Sequence, residues 1–91
     1  MQVRWTMAAA TDLENIANFL FERTPANAPR LIRQIYGTGL SLTDFPSRGR
    51  PGKKEGTREL VLSPLPYIIV YQVRQDTVYV VRILHSAQER L

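Results

Sequence analysis

The stretch Tyr67-Ile68-Ile69-Val70-Tyr71-Gln72-Val73 constrains the fold more than any other part of the chain. It is apolar on both of its alternating sides and rich in β-branched and aromatic residues, so it predicts a central strand with both faces covered or nearly so. Arg74-Gln75-Asp76 then predicts a hairpin turn, and Thr77 to Leu84 a return strand interrupted by one charge, Arg82. A covered central strand needs layers, and 91 residues supply few of them. At this size folding buries only about 60 to 65% of the unfolded chain's surface. That suffices for one helical layer against one sheet in a single domain spanning residues 1–91, and it excludes a large multi-substrate enzyme with a deep cofactor cleft.

The remaining segments supply those layers. Gln2 to Trp5 alternates, with Val3 and Trp5 on one side and Gln2 and Arg4 on the other, and predicts a half-buried strand. Thr6 is a candidate N-cap for a helix whose apolar stripe is Ala9, Leu13, Ile16 and Leu20, with Ala17 beside it. Asp12, Asn15 and Glu22 are expected on the wet face. Thr24-Pro25 ends this helix and is expected to cap and open a second one. That helix carries Ala28, Leu31, Ile32, Ile35 and Leu42, with Tyr36 alongside, and should run to about Asp44 before Pro46 stops it. Gly37 and Gly39 weaken its middle by about 1 kcal/mol each relative to Ala, which predicts close packing or fraying there. Ser47 to Gly56, without periodic apolar residues, reads as a loop. Thr57 to Leu62 reads as a strand, followed by a turn at Ser63 to Pro66. The expected fold is α+β in the order β-α-α-β-β-β: a helical hairpin packed on a small, mainly antiparallel, four-stranded sheet, with a short C-terminal tail from His85.

Charge is distributed unevenly. Residues 1–46 balance four basic against four acidic groups, whereas residues 47–91 hold eight basic against four acidic and so carry the whole net charge of +4. Five of those eight cations fall between Arg48 and Arg58. Such a cluster raises the local concentration of polyanions and speeds encounter with them, so nucleic acid or an acidic protein segment is the expected partner. A solvated loop that merely keeps the protein soluble is the competing reading. No apolar run approaches the ~20 residues that span a bilayer, and the first residues lack the apolar stretch of a secretory signal; the protein is expected to be cytoplasmic, with no membrane partner. With no cysteine and one histidine, the sequence offers neither a disulfide framework nor a His/Cys metal site, and no cofactor is expected.

Familiar catalytic motifs are missing. His85, where the last strand ends, is the one side chain that ordinarily titrates near neutrality. It reads either as a hydrogen-bonded strand-end residue or as a general acid for RNA cleavage, protonating a leaving 5′ oxygen while Arg58 or Arg82 stabilises the phosphorane. Arg82 is expected either to pair with a carboxylate such as Glu59 or to face a ligand. Trp5, Tyr67, Tyr71 and Tyr79 are expected in the core rather than as a stacking platform for bases, with Tyr71 and Tyr79 able to pair across the sheet.

Several strings, in order, resemble one family. They are Trp5, Ala9, Leu13, Ile16 and Phe19; Leu42-Thr43-Asp44-Phe45-Pro46-Ser47-Arg48-Gly49-Arg50-Pro51; Thr57-Arg58-Glu59-Leu60; Pro66-Tyr67-Ile68-Ile69-Val70-Tyr71; and Val81-Arg82-Ile83-Leu84-His85. Together they resemble the RelE/ParE superfamily of bacterial toxins from type II toxin-antitoxin systems, over nearly the whole chain. The resemblance implies a cognate antitoxin as partner, and contact with operator DNA only through it. RelE-type members cut messenger RNA on the ribosome with basic residues of the sheet and tail, often including an Arg after the central-strand Tyr. Here that position is Ile68, and the tail position falls at Gln88 or near Arg90. The Arg-Ile-Leu-His ending and the Phe-Pro-x-x-Gly-Arg loop resemble the ParE branch, whose members poison DNA gyrase without being nucleases.

The leading expectation is therefore a ParE-like gyrase inhibitor with Arg48, Arg50, Lys53, Lys54, Arg58 and Arg82 as target-binding residues. The alternative is a RelE-like endoribonuclease acting on ribosome-bound message, with His85 as acid and Lys54 and Arg58 as phosphate ligands; ribonuclease relatives such as YafQ carry a His at the position matching His85. A third reading is an inactive module that binds only antitoxin or operator.

Overall fold

The computed structural model describes residues 1–88. Strand β1 (Gln2–Trp5) leads into helix α1 (Met7–Arg23), helix α2 (Ala28–Ser41), and strands β2 (Arg50–Pro51), β3 (Thr57–Val61), β4 (Tyr67–Arg74) and β5 (Thr77–His85), with a 3-10 turn at Ser86–Gln88. The sheet order is β1-β5-β4-β3-β2, with β1 parallel to β5 and every other pairing antiparallel. The α+β fold and its helical hairpin agree with the sequence reading, and β4 is indeed central. The sheet has five strands rather than four, because Arg50 and Pro51 pair with Glu59 and Arg58 inside the segment read as loop. Two residues are too few to show a period-2 pattern. The tail candidate Arg90 lies outside the described residues.

Alternation sorts the side chains between two faces. Leu60, Tyr67, Ile69, Tyr71, Val78, Val80 and Ile83 form the core with Ala9, Ile35 and Leu42, and Trp5, Leu13 and Ile16 pack at its margin. A bulge in β5 preserves this arrangement: Val70 pairs with Arg82 and Tyr71 with Val80, so Val81 is an extra residue. Without it, Arg82 would follow Val78 and Val80 onto the helix face. With it, Ile83 takes the core position, 3% exposed, and Arg82 turns out.

Helix α1 keeps its expected ends, whereas α2 departs from expectation at both. Thr6 caps α1 as predicted: its hydroxyl accepts from the Ala9 N–H at 3.1 Å and donates to the Val81 carbonyl at 3.1 Å. The cap of α2 is Asn27, not Thr24, with Pro29 in the first turn. Helix α2 stops at Ser41 instead of Asp44. Past that point Thr43 and Asp44 donate to carbonyls three residues back, Leu40 and Ser41, and so tighten the chain into turns. Of the two glycines of α2, Gly39 is closely packed, since a Cβ there would lie 3.1 Å from the Trp5 ring, while a Cβ on Gly37 would meet nothing within 4 Å.

Candidate functional site

Two surfaces carry the residues singled out by sequence: the segment from Phe45 to Arg58, and the far end of β5. Tyr71 organises the first. Its buried hydroxyl accepts from the Gly49 N–H at 2.8 Å and donates to the Pro46 carbonyl at 2.8 Å, pinning the segment to the central strand. Gly49 must be glycine here, because a Cβ would lie 2.8 Å from the Tyr71 ring and hydroxyl and 2.9 Å from the Glu59 carbonyl.

Most of the basic cluster is engaged by this framework. Arg58, beside Tyr71 in register, donates to the carbonyls of Gly49 at 2.8 Å and Ser47 at 3.3 Å. Arg48 donates to the Ser41 hydroxyl at 3.1 Å. Arg50 donates through two nitrogens to Glu59, at 3.0 and 3.2 Å, and the Glu59 side chain is only 8% exposed. Such a buried carboxylate needs its cation, so this pair serves the fold first. Lys53 and Lys54 occupy the exposed turn between β2 and β3, and only the Lys54 backbone is used, its carbonyl accepting from Thr57.

Arg82 pairs with Asp12 rather than with Glu59. Its guanidinium grips both carboxylate oxygens, at 2.7 and 3.0 Å, and Asp12 also accepts the Ile83 backbone N–H at 2.9 Å. Asp12 is thus not on the wet face of α1. It lies three residues after Ala9 and four before Ile16, at the border of the buried stripe. There it supplies the hydrogen bond that β5 needs where β1 has ended, a helix covering a sheet edge. The hydrogen bond and charge of Asp12 hold the Arg82 guanidinium still more firmly protonated than usual.

At the end of β5, His85 stands edge-on to the Tyr67 ring at 5.7 Å, and its Nδ1 accepts from the Ala87 N–H at 3.1 Å. In the neutral ring the proton is therefore on Nε2. Both residues border a groove of about 270 Å³ against α1, shared with Asp12, Asn15, Ile16, Phe19 and Ile83. Burial pushes the Tyr67 phenol above its ordinary value.

The three ribonuclease candidates are not brought together. His85 is opposite Tyr67 and Arg58 opposite Tyr71. Four residues along the strand and two strand spacings separate their backbones by roughly 16 Å. The Arg58 side chain is committed to the Ser47–Gly49 carbonyls, and Lys54 lies beyond Arg58 from His85. Among the described residues no cluster of His, Cys, Asp and Glu could hold a metal ion.

This fold matches that of known proteins. The family model described as "ParE toxin of type II toxin-antitoxin system, parDE" matches residues 3–90. The chain belongs to the ParE toxin family. Among its ParE/RelE relatives, Toxin RelE2 of Caulobacter vibrioides is 38% identical over 87 residues, covering 96% of this chain and 97% of that protein. Protein Y4kP of Sinorhizobium fredii is 37% identical over 89 residues, covering 97% and 91%. A solved structure titled "Chromosomal ParDE TA system from P. aeruginosa" superposes with a TM-score of 0.84 at 26% identity, covering 93% of this chain and 95% of that one. The chain is thus a toxin of the ParE/RelE superfamily, and a cognate antitoxin goes with that membership.

Sequence reasoning also misplaced an aromatic residue of this ParE-family chain. Tyr79 is not in the core: it stands opposite Gln72 and Arg4 on the face away from the helices, half-exposed, with the Arg74 guanidinium 5.1 Å above its ring. It cannot pair with Tyr71, which points into the core. The strand parity of Arg4 and Tyr79 would have placed them together had β1 been aligned beside β5.

Proposed function

We propose that this chain is a ParE-like toxin that inhibits DNA gyrase by binding, and that its cognate antitoxin neutralises it by docking on the helical hairpin. The observation that carries the choice of binding over catalysis is the separation of His85 from Arg58 and Lys54, with Arg58 engaged by its own loop. A phosphate ligand for RNA cleavage must reach the reacting phosphorus together with the acid, and this arrangement does not favour that. The antitoxin part is supported by large apolar side chains left on the helices: Met7 85%, Phe19 48%, Phe21 50%, Tyr36 46% and Leu40 43% exposed. An amphipathic segment laid along the hairpin would bury part of that surface, and a chain with net charge +4 favours an acidic one.

Purified protein incubated with gyrase and supercoiled plasmid tests this reading. Trapped cleavage complexes, relieved by the antitoxin, are expected. A second reading, the RelE-like endoribonuclease, is favoured by one observation: Tyr67 and His85, two groups able to exchange protons, border the same groove. Message cut on programmed ribosomes, and lost in His85→Ala, would replace the gyrase reading. Silence in both assays, with unimpaired growth on expression, would leave a module that binds only its antitoxin or operator.

A further inference from the structure

We propose that the open face of the sheet at the β4–β5 hairpin, through Arg4, Arg74 and Tyr79, docks on the phosphodiester backbone of DNA; this rests on the gyrase reading and names the DNA that gyrase holds as a second contact of the toxin. The pairing register builds the surface. Arg4 lies beside Tyr79, Tyr79 beside Gln72, and Arg74 two residues further along β4 beside Thr77. All five alternate with core residues (Val3, Trp5, Val78, Val80, Tyr71) and so project from the face that no helix covers.

Arg4 and Arg74 are exposed, and among the described residues neither has a carboxylate within ion-pair distance. Arg82 and Arg50, on the same face, have Asp12 and Glu59. The Tyr79 ring supports the Arg74 guanidinium from one side, leaving its in-plane N–H groups for an outside acceptor. Two strand spacings and two residues put the Arg4 and Arg74 backbones about 12 Å apart, about two phosphate-to-phosphate steps along one DNA strand. Both long side chains therefore reach phosphates of a single strand. Gln72 and Thr77, between them, offer neutral donors.

The chemistry of the two faces separates two partners. The helical face exposes Phe19, Phe21 and Leu40 and suits an amphipathic peptide. The hairpin end of the sheet face offers paired guanidiniums on a rigid spacing around a ring already covered by Arg74, which suits a regular polyanion.

Fluorescence anisotropy of a short labelled duplex of arbitrary sequence, titrated with the whole protein at several salt concentrations, tests the proposal. Binding that weakens with salt is expected. The double variant Arg4→Glu, Arg74→Glu should lose at least about tenfold in affinity and roughly two units of salt slope, while Arg4→Lys, Arg74→Lys retains most binding. Thermal melts of both variants should match the parent, since neither side chain is buried. No binding at low salt, an unaltered double-Glu variant, or a polyglutamate peptide that outcompetes the duplex overturns the proposal, the last in favour of an acidic protein partner. Gyrase inhibition without duplex binding overturns this inference and leaves the gyrase reading intact. Duplex binding with gyrase unaffected supports the DNA contact and removes that reading.

Discussion

The two ends of the open sheet face both carry arginines, in opposite circumstances. Toward β2, Arg50, Glu59, Val70 and Arg82 form one row across four strands, and the row's cations are held by Glu59 and by Asp12. Close by, Arg58 spends its donors on loop carbonyls. At the hairpin, Arg4 and Arg74 flank Tyr79 with no such carboxylate among the described residues. The sequence is densest in positive charge around Arg48 to Arg58, yet there most guanidiniums stabilise the chain's own backbone. Arginine has five donors, and in a small fold with little core those donors are drawn into holding loops. Where strand pairing places no acceptor nearby, the charge stays available.

Substitutions can break or sharpen this contrast. The largest effect is expected from Gly49→Ala, whose methyl has no room against Tyr71 and the Glu59 carbonyl. It should cost about 3 kcal/mol by forcing the segment off its hydrogen bonds. A neutral result in urea unfolding would show the loop free to move, and the contrast would fail. Tyr71→Phe keeps the ring and removes the hydroxyl that Gly49 and Pro46 use. A loss of about 2 kcal/mol is expected, because a buried donor and acceptor are stranded together.

Asp12→Ala should cost about 1 to 2 kcal/mol, chiefly through the Ile83 N–H left without its acceptor at the sheet edge. Arg82→Ala should cost less, about 0.5 kcal/mol, since its side chain is 52% exposed and the pair is screened by solvent. An equal loss for the two would mean that the ion pair, not the backbone bond, joins α1 to β5. Arg4→Gln and Arg74→Gln should change stability by no more than about 0.5 kcal/mol. Denaturation midpoints well below the parent would move these residues into the structural class.

The smallest effect concerns Tyr67. Its phenol is raised above 10.0 by burial, so the unfolded chain ionises first. Stability is then full below about pH 10 and falls as pH climbs from there through the folded value. Unfolding midpoints measured across the alkaline range should show this slope in the parent and a shallower one in Tyr67→Phe.

Much of the fold was legible because long elements repeat their pattern. The stripe Ala9, Leu13, Ile16, Leu20 and the two-sided run Tyr67–Val73 each carry enough positions to define a period, and both elements formed as read. Strand β2 has two residues and no period, so it was invisible. The Tyr71 clamp joins residues 22 and 25 apart, and the Arg82 pair joins residues 70 apart. Nothing in the local spacing marks such partners. Of the candidate site, residue types were legible, but their companions were not. Arg58 and His85 both look suited to phosphate chemistry, yet only the register reveals that their positions are offset by four residues along β4.

By itself, then, the sequence determined the layers of this toxin and the family it joins, because periodic burial and ordered strings act over neighbouring residues. The tertiary structure alone decided what each charge does. One extra residue in β5 turned Arg82 away from the core, and a helix arriving from the other end of the chain met it with Asp12. Such outcomes depend on which strands lie side by side, and contacts across a sheet leave no trace in the spacing along a chain.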